Sequence, residues 1–102
     1  RYAKRITHVH TKDIRSSVVN DLNKDKESFL DAVLKGAFTV PGDGSIDFKE
    51  VIDTLAKNNY EGWFIVEAEQ DPAKANPLEM AKIGNKELRK CLTLSGYEIV
   101  EY

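Results

Sequence analysis

The stretch 63–67 (WFIVE) has four successive apolar residues followed by a carboxylate. A short apolar run that follows a turn at Gly62 is typical of a β-strand, and its lack of alternation indicates that both faces of the strand are covered. In parallel α/β proteins, helices cover one face of such a strand, and a barrel or sheet interior covers the other. The run therefore predicts a strand of a parallel sheet.

A second strand is predicted at residues 5–10, where β-branched residues alternate with two histidines. In an extended chain the period of two places Ile6, His8 and His10 on one face. His10 then stands at the C-terminal end of this strand, as Glu67 does at the end of the apolar one. Both predicted strands therefore have a polar side chain at the C-terminal end.

The rest of the chain predicts helices and connections. Apolar side chains recur at helical spacing in three segments: 28–36, 47–57 and 78–92. Three other segments are irregular: 14–26 is predicted as a long loop, 38–46 as a turn-rich connection, and 96–102 as an edge strand or a tail. The order of strand, helices, strand and helix indicates an α/β fold with a parallel sheet, of which two strands form only an arc.

Composition excludes several functions. The 102 residues carry a formal net charge of -2, so no basic surface for nucleic acid is predicted. No apolar stretch approaches the roughly 18 to 20 residues that span a bilayer, and no signal peptide is recognisable. Cys91, the single cysteine, excludes an intrachain disulfide and is expected to be a packing residue, which is compatible with a cytoplasmic location.

His10 and Glu67 are candidate metal ligands. The C-terminal ends of parallel strands form one edge of a sheet or barrel, and active sites of (β/α)8 barrels lie there. Imidazole and carboxylate groups bind divalent ions such as Mn²⁺, Co²⁺, Mg²⁺ and Zn²⁺. A complete site requires about two further ligands. On pattern alone a purely structural role for His10 stays open, and His8 is expected one layer deeper, supporting the ligand or packed in the interior.

Two other polar groups have open interpretations. Lys12, Asp13 and Arg15 follow the first strand and form either a solvated salt-bridge cluster or a set of rim residues that contact a substrate. The segment 42–44 (GDG) is either a tight turn or a loop that binds an anion before the next helix. Glu69 is interpreted as a loop residue.

Three blocks carry a resemblance to a known family: residues 8–13 (HVHTKD), 38–48 (FTVPGDGSIDF) and 62–72 (GWFIVEAEQDP). Together they resemble the inosose dehydratases of the xylose-isomerase-like barrel superfamily. The resemblance implies a (β/α)8 TIM barrel, in which residues 1–102 are the C-terminal portion of one domain, about strands 7 and 8 with their helices. The chain opens at Arg1 without an initiator methionine, and we therefore expect a piece of a larger protein.

The resemblance also implies a site and a reaction. A divalent ion, Mn²⁺ or Co²⁺ in the first place, is held by two glutamates, an aspartate and a histidine, of which Glu67 and His10 match the last glutamate and the histidine. The implied reaction removes water from 2-keto-myo-inositol, a cyclic polyol ketone, to give a trihydroxycyclohexane-1,2-dione in myo-inositol catabolism. Glu67 is then also a proton-transfer group, and Lys12, Asp13 and Arg15 are expected to contact the substrate.

Two alternatives remain. One is a sugar isomerase or epimerase of the same superfamily, which is disfavoured because those epimerases have His-x-Gly-Glu where this chain has residues 10–13 (HTKD). The other is an inactive folded fragment that lacks half of the metal site and associates through its strand edges. A homo-oligomeric parent protein is compatible with each of these interpretations.

Overall fold

A computed structural model describes residues 1–101 of the chain. Its elements are, in chain order, a 3₁₀ turn (Ala3–Arg5), β1 (His8–Thr11), β2 (Asp13–Ile14), α1 (Ser16–Asp21), α2 (Phe29–Leu34), β3 (Phe38–Thr39), α3 (Phe48–Lys57), β4 (Trp63–Val66) and α4 (Pro77–Leu94). The fold is mixed α/β, as the sequence predicts. None of the helices formed by these residues has the length and apolar character needed to cross a membrane.

The two predicted strands form a parallel pair. β1 and β4 are hydrogen-bonded in a register that places His8 opposite Trp63 and His10 opposite Ile65. The first strand begins at His8, later than predicted, because residues Ala3–Arg5 form a 3₁₀ turn. Side chains opposite one another in a parallel pair lie on the same face, so the two histidines share a face with the alternate residues of β4.

Helices α3 and α4 cover the opposite face of this pair. Their buried side chains are Phe48, Ile52, Leu88, Cys91 and Leu92, and Phe64 and Val66 of β4 pack against them. Cys91 is buried, and burial raises the pKa of its thiol, which confirms the prediction of a packing residue. The face that carries the histidines is open among the described residues, and Trp63 on it is 60% exposed.

Helix α4 lies close to β4 at Gly84. A Cβ at this position would stand 2.6 Å from Cγ1 of Val66 and 3.1 Å from Cβ of Val40, so only glycine permits this approach. Glycine has a low helix propensity, but at position 84 it allows α4 to pack closely against β4.

Two of the predicted helices begin at a side chain that caps the backbone. The Ser28 side chain accepts from the backbone N–H of Asp31, and the Asp31 carboxylate accepts from the backbone N–H of Ser28, which completes a capping box at α2. Asp47 accepts from the N–H of Glu50 at the start of α3. The last helix, predicted at 78–92, extends from Pro77 to Leu94.

The predicted irregular segments are partly wrong. The segment 14–26 contains α1, and Phe38–Thr39 pairs antiparallel with Asp13–Ile14 as a two-residue ribbon, β2–β3. Helix α1 has no buried residue and no side-chain cap, so it left no periodic signal in the sequence. Residues 96–101 form no strand, which favours the tail, and Tyr102 lies outside the described residues.

Candidate active site

The strand ends bring His10 and Glu67 together. Nδ1 of His10 lies 2.9 Å from Oε2 of Glu67, and the backbone N–H of Glu67 donates to the carbonyl of Thr11 at 2.9 Å, so the pairing of β1 and β4 extends to the carboxylate. The side chains are 59% and 37% exposed, respectively. The geometry expected from the strand period and the parallel register is thus present.

Lys12 lies on the other side of this carboxylate. Its Nζ is 3.2 Å from Oε1 of Glu67 and also donates to Oε1 of Glu69, and it stands 5.5 Å from the centre of the Phe38 ring. The hydrogen bond to Glu69 raises the pKa of Lys12, and Glu67 raises it further. The bonds with His10 and then Lys12 lower the pKa of Glu67, so its carboxylate is ionised at neutral pH.

Arg15 does not join this group. Its guanidinium donates to the carbonyl of Gly36 at 2.9 Å, to Oγ1 of Thr39 at 3.3 Å and to Oδ2 of Asp43 at 2.5 Å. Thr39 also donates to Asp43 at 2.7 Å and accepts from Gln70 at 3.3 Å. Arg15 thus connects the ribbon to the turn that follows it, and these hydrogen bonds do not involve His10 or Glu67.

Asp13 is fully buried, which contradicts its predicted role as a substrate contact on the rim. Its Oδ1 accepts from the backbone N–H of Ile14 at 2.8 Å and of Ile46 at 3.0 Å. Its Oδ2 has no hydrogen-bond partner among residues 1–101. A Cβ at Gly44 would stand 2.4 Å from the Asp13 carboxylate, so glycine is required where the turn crosses it.

These contacts resolve two open interpretations. The segment 42–44 is a tight turn. The negative charge next to it is that of the buried Asp13 carboxylate, which belongs to the same chain. Lys12, Asp13 and Arg15 form no salt-bridge cluster, because each binds a different set of partners. Asp13 anchors a turn, Arg15 supports the ribbon, and Lys12 alone reaches the candidate site.

His8 lies on the same face as His10 but is exposed, opposite Trp63. The described residues place no layer over it, so the expected interior packing of His8 is not found among them. Glu69 lies in the loop after β4, as predicted, and its side chain contacts Lys12. The sequence could have predicted this contact, because Glu69 is two residues after Glu67 and alternate residues of an extended chain lie on the same side.

His10 and Glu67 are two donors of the kinds that divalent metal ions bind. An imidazole nitrogen and a carboxylate oxygen converge on the open face, and borderline divalent ions accept both donors. Within residues 1–101 no group of three or more histidine, cysteine, aspartate or glutamate side chains is arranged to hold a metal ion. The two donors therefore fit such an ion but do not complete its site.

Comparison with known proteins identifies the family. Residues 1–91 match the family described as "Xylose isomerase-like TIM barrel", and the chain belongs to that family. This finding confirms the resemblance seen in the sequence.

Individual relatives are more specific. The chain is 67% identical over 81 residues to an inosose dehydratase of Clostridium tetani (strain Massachusetts / E88), across 79% of this chain and 27% of that protein. It is 56% identical over 90 residues to an inosose dehydratase of Clostridium beijerinckii, across 88% of this chain and 30% of that protein. It is 50% identical over 99 residues to the rhizopine catabolism protein MocC of Rhizobium meliloti, across 97% of this chain and 30% of that protein. The chain thus spans less than a third of these relatives.

Proposed function

We propose that residues 1–102 are the C-terminal portion of a single (β/α)8 barrel, about strands 7 and 8 with their helices, and that this barrel is a metal-dependent inosose dehydratase. Family membership and the inosose dehydratases among the relatives support the proposal. Among residues 1–101, the parallel pair β1–β4 is covered by helices on one face, which is the layer arrangement of an arc of such a barrel.

The observation that carries the site assignment is the 2.9 Å approach of His10 and Glu67 across two strand ends. In the proposed enzyme these two residues provide half of the ligands of a divalent ion, with Mn²⁺ or Co²⁺ as the first candidates and Mg²⁺ or Zn²⁺ as the others. When bound, such an ion supplies Lewis-acid stabilisation of the negative charge that develops on a ketone oxygen.

The proposed substrate is 2-keto-myo-inositol, and the proposed product is a trihydroxycyclohexane-1,2-dione formed by loss of one water in myo-inositol catabolism. Glu67 takes the proton from the carbon next to the ketone, and the electron pair of that C–H bond forms a C=C bond to the following carbon. The hydroxyl on that carbon leaves as water, with the C–O bonding pair and a proton from a general acid, and the enol that results tautomerises to the dione. Lys12 is the cation closest to Glu67 and can donate to a ring hydroxyl. A cytoplasmic location, a homo-oligomeric state and the absence of nucleic-acid and membrane partners stay predictions.

The test uses the full-length protein with Mn²⁺ or Co²⁺ and 2-keto-myo-inositol. We expect dione formation, and we expect kcat to fall by at least about a hundredfold in His10→Ala and Glu67→Gln, because each removes a ligand or a proton-transfer group. Glu61→Gln, which changes an exposed glutamate before β4, is the control and should retain activity. Full activity in either site variant would refute the assignment, and formation of an epimerised ketone in place of the dione would favour a sugar epimerase.

A further inference from the structure

Both oxygens of the Glu67 carboxylate have a partner. Oε2 is 2.9 Å from Nδ1 of His10, and Oε1 is 3.2 Å from Nζ of Lys12. A carboxylate that is bound at both oxygens has one preferred orientation, whereas one bound at a single oxygen can rotate about its last side-chain bond. The orientation of Glu67 toward the histidine therefore depends on where the Lys12 ammonium is held.

Two contacts besides Glu67 hold that ammonium. Glu69 accepts a hydrogen bond from it, and the ammonium lies over the Phe38 ring, 5.5 Å from the ring centre. The backbone of Lys12 is anchored at both neighbours, since the buried Thr11 donates its hydroxyl to the carbonyl of Ile65 and the buried Asp13 accepts from two backbone N–H groups. Lys12 is 25% exposed, less than either carboxylate that it binds.

We propose that Lys12 and Glu69 are a positioning pair for Glu67, in which Glu69 holds the ammonium and the ammonium holds Oε1, so that Oε2 faces His10. The consequence for turnover rests on the proposed function, but the orientation of Glu67 does not. The three charged side chains are partly exposed, and ion pairs of this kind add little to folding stability. Removal of the pair is therefore expected to change the position of Glu67 much more than the stability of the protein.

The test compares four variants of the full-length protein. Lys12→Met keeps a long side chain over Phe38 without the charge, Lys12→Arg keeps the charge, and Glu69→Gln removes the charge that holds Lys12. Lys49→Met is the matched control, because Lys49 binds both oxygens of Asp53 at 2.6 Å on α3, away from the site. The readouts are the metal-free crystal structure, the Kd for Mn²⁺, and kcat and KM for 2-keto-myo-inositol.

In Lys12→Met we expect Glu67 to leave the orientation that places Oε2 at His10, and we expect the Kd for Mn²⁺ to rise and kcat to fall, each by about tenfold or more, as when a group that orients a metal ligand is lost. KM should change less than kcat. Lys12→Arg should recover most of the loss, Glu69→Gln should have a smaller effect in the same direction, and Lys49→Met should match the wild type.

Two results would overturn the inference. The first is a Lys12→Met structure in which Glu67 keeps its contact with His10. The second is tighter Mn²⁺ binding in that variant, which would mean that the Lys12 charge only repels the metal ion. The metal-free structure separates this inference from the proposed function. A displaced Glu67 supports the positioning pair even if the wild type forms no dione, and an undisplaced Glu67 overturns it even if the wild type does.

Discussion

Asp43 connects the turn after β3 to Arg15, and its charge gives the protein a pH dependence. Hydrogen bonds from the Thr39 hydroxyl and then from the Arg15 guanidinium lower the pKa of its carboxyl group. A lowered folded-state pKa stabilises the protein above the unfolded pKa of about 4, and this contribution is lost as the pH falls through the folded pKa.

Asp43→Asn should therefore reduce the free energy of unfolding by roughly 1 kcal/mol at pH 7, a value discounted for the exposure of this carboxylate. Urea denaturation of the full-length protein at pH 7 and at several pH values below 4 measures the change. The difference between wild type and variant should shrink as the pH falls below about 4. A gap that is constant with pH would contradict the assignment, and the exposed Asp25→Asn is the control.

Asp13 is expected to stabilise the fold because its carboxylate accepts from two backbone N–H groups, that of Ile14 in β2 and that of Ile46 after the turn. Asp13→Ala should lower the free energy of unfolding by about 1–3 kcal/mol, since both donors lose their acceptor. Asp13→Asn should cost less, because the amide oxygen can replace Oδ1 and its nitrogen occupies the place of the unpartnered Oδ2. Thermal unfolding of both variants measures the difference, and an equal loss would argue against the role of Oδ1.

The contact between α4 and β4 predicts that Gly84→Ala lowers stability, whereas helix propensity alone predicts that it raises stability. Alanine is a better helix former than glycine by about 1 kcal/mol. At Gly84, however, the added methyl group would overlap Val66, so we expect Gly84→Ala to destabilise the protein by about 1–3 kcal/mol. Thermal unfolding measures this effect, with Lys86→Ala at an exposed position of α4 as the control.

A second variant tests the cause. If the overlap with Val66 is responsible, Gly84→Ala should cost less in a Val66→Ala background than in the wild type, because the smaller side chain leaves room for the methyl group. A stabilising Gly84→Ala would show that the helix can move away from the strand. The same cost in both backgrounds would show that the overlap with Val66 is not its cause.

The described chain has a parallel strand pair with one covered face and one open face, and the open face carries His10 and Glu67. With two donors in place, we expect the 102-residue chain alone to bind Mn²⁺ at least about a hundredfold more weakly than the full-length protein. Calorimetric titration of both proteins measures the ratio. Equal affinity would show that the chain holds a complete site and would contradict the proposal that further ligands come from outside it.

Part of this architecture could be read along the chain. The apolar run at 63–66 and the alternation around His10 each lie within one strand. The period of two, together with the order of strands and helices that indicates a parallel sheet, was sufficient to predict that their polar ends lie at one edge. The helix starts at Ser28 and Asp47 were also predictable, because a cap and its partner are three residues apart. Local spacing contains such information, since the backbone geometry of a strand or a helix is known in advance.

Contacts between distant segments decided the rest. The ribbon β2–β3 has two residues in each strand, too few for a pattern, and it exists because segments far apart in the chain meet there. That pairing buries Asp13, directs Arg15 to Asp43 and leaves Lys12 beside Glu67. Three neighbouring charged residues thus have three different environments. Their types and order were plain from the sequence, but their roles depend on which backbone donors and carboxylates the folded chain places next to each.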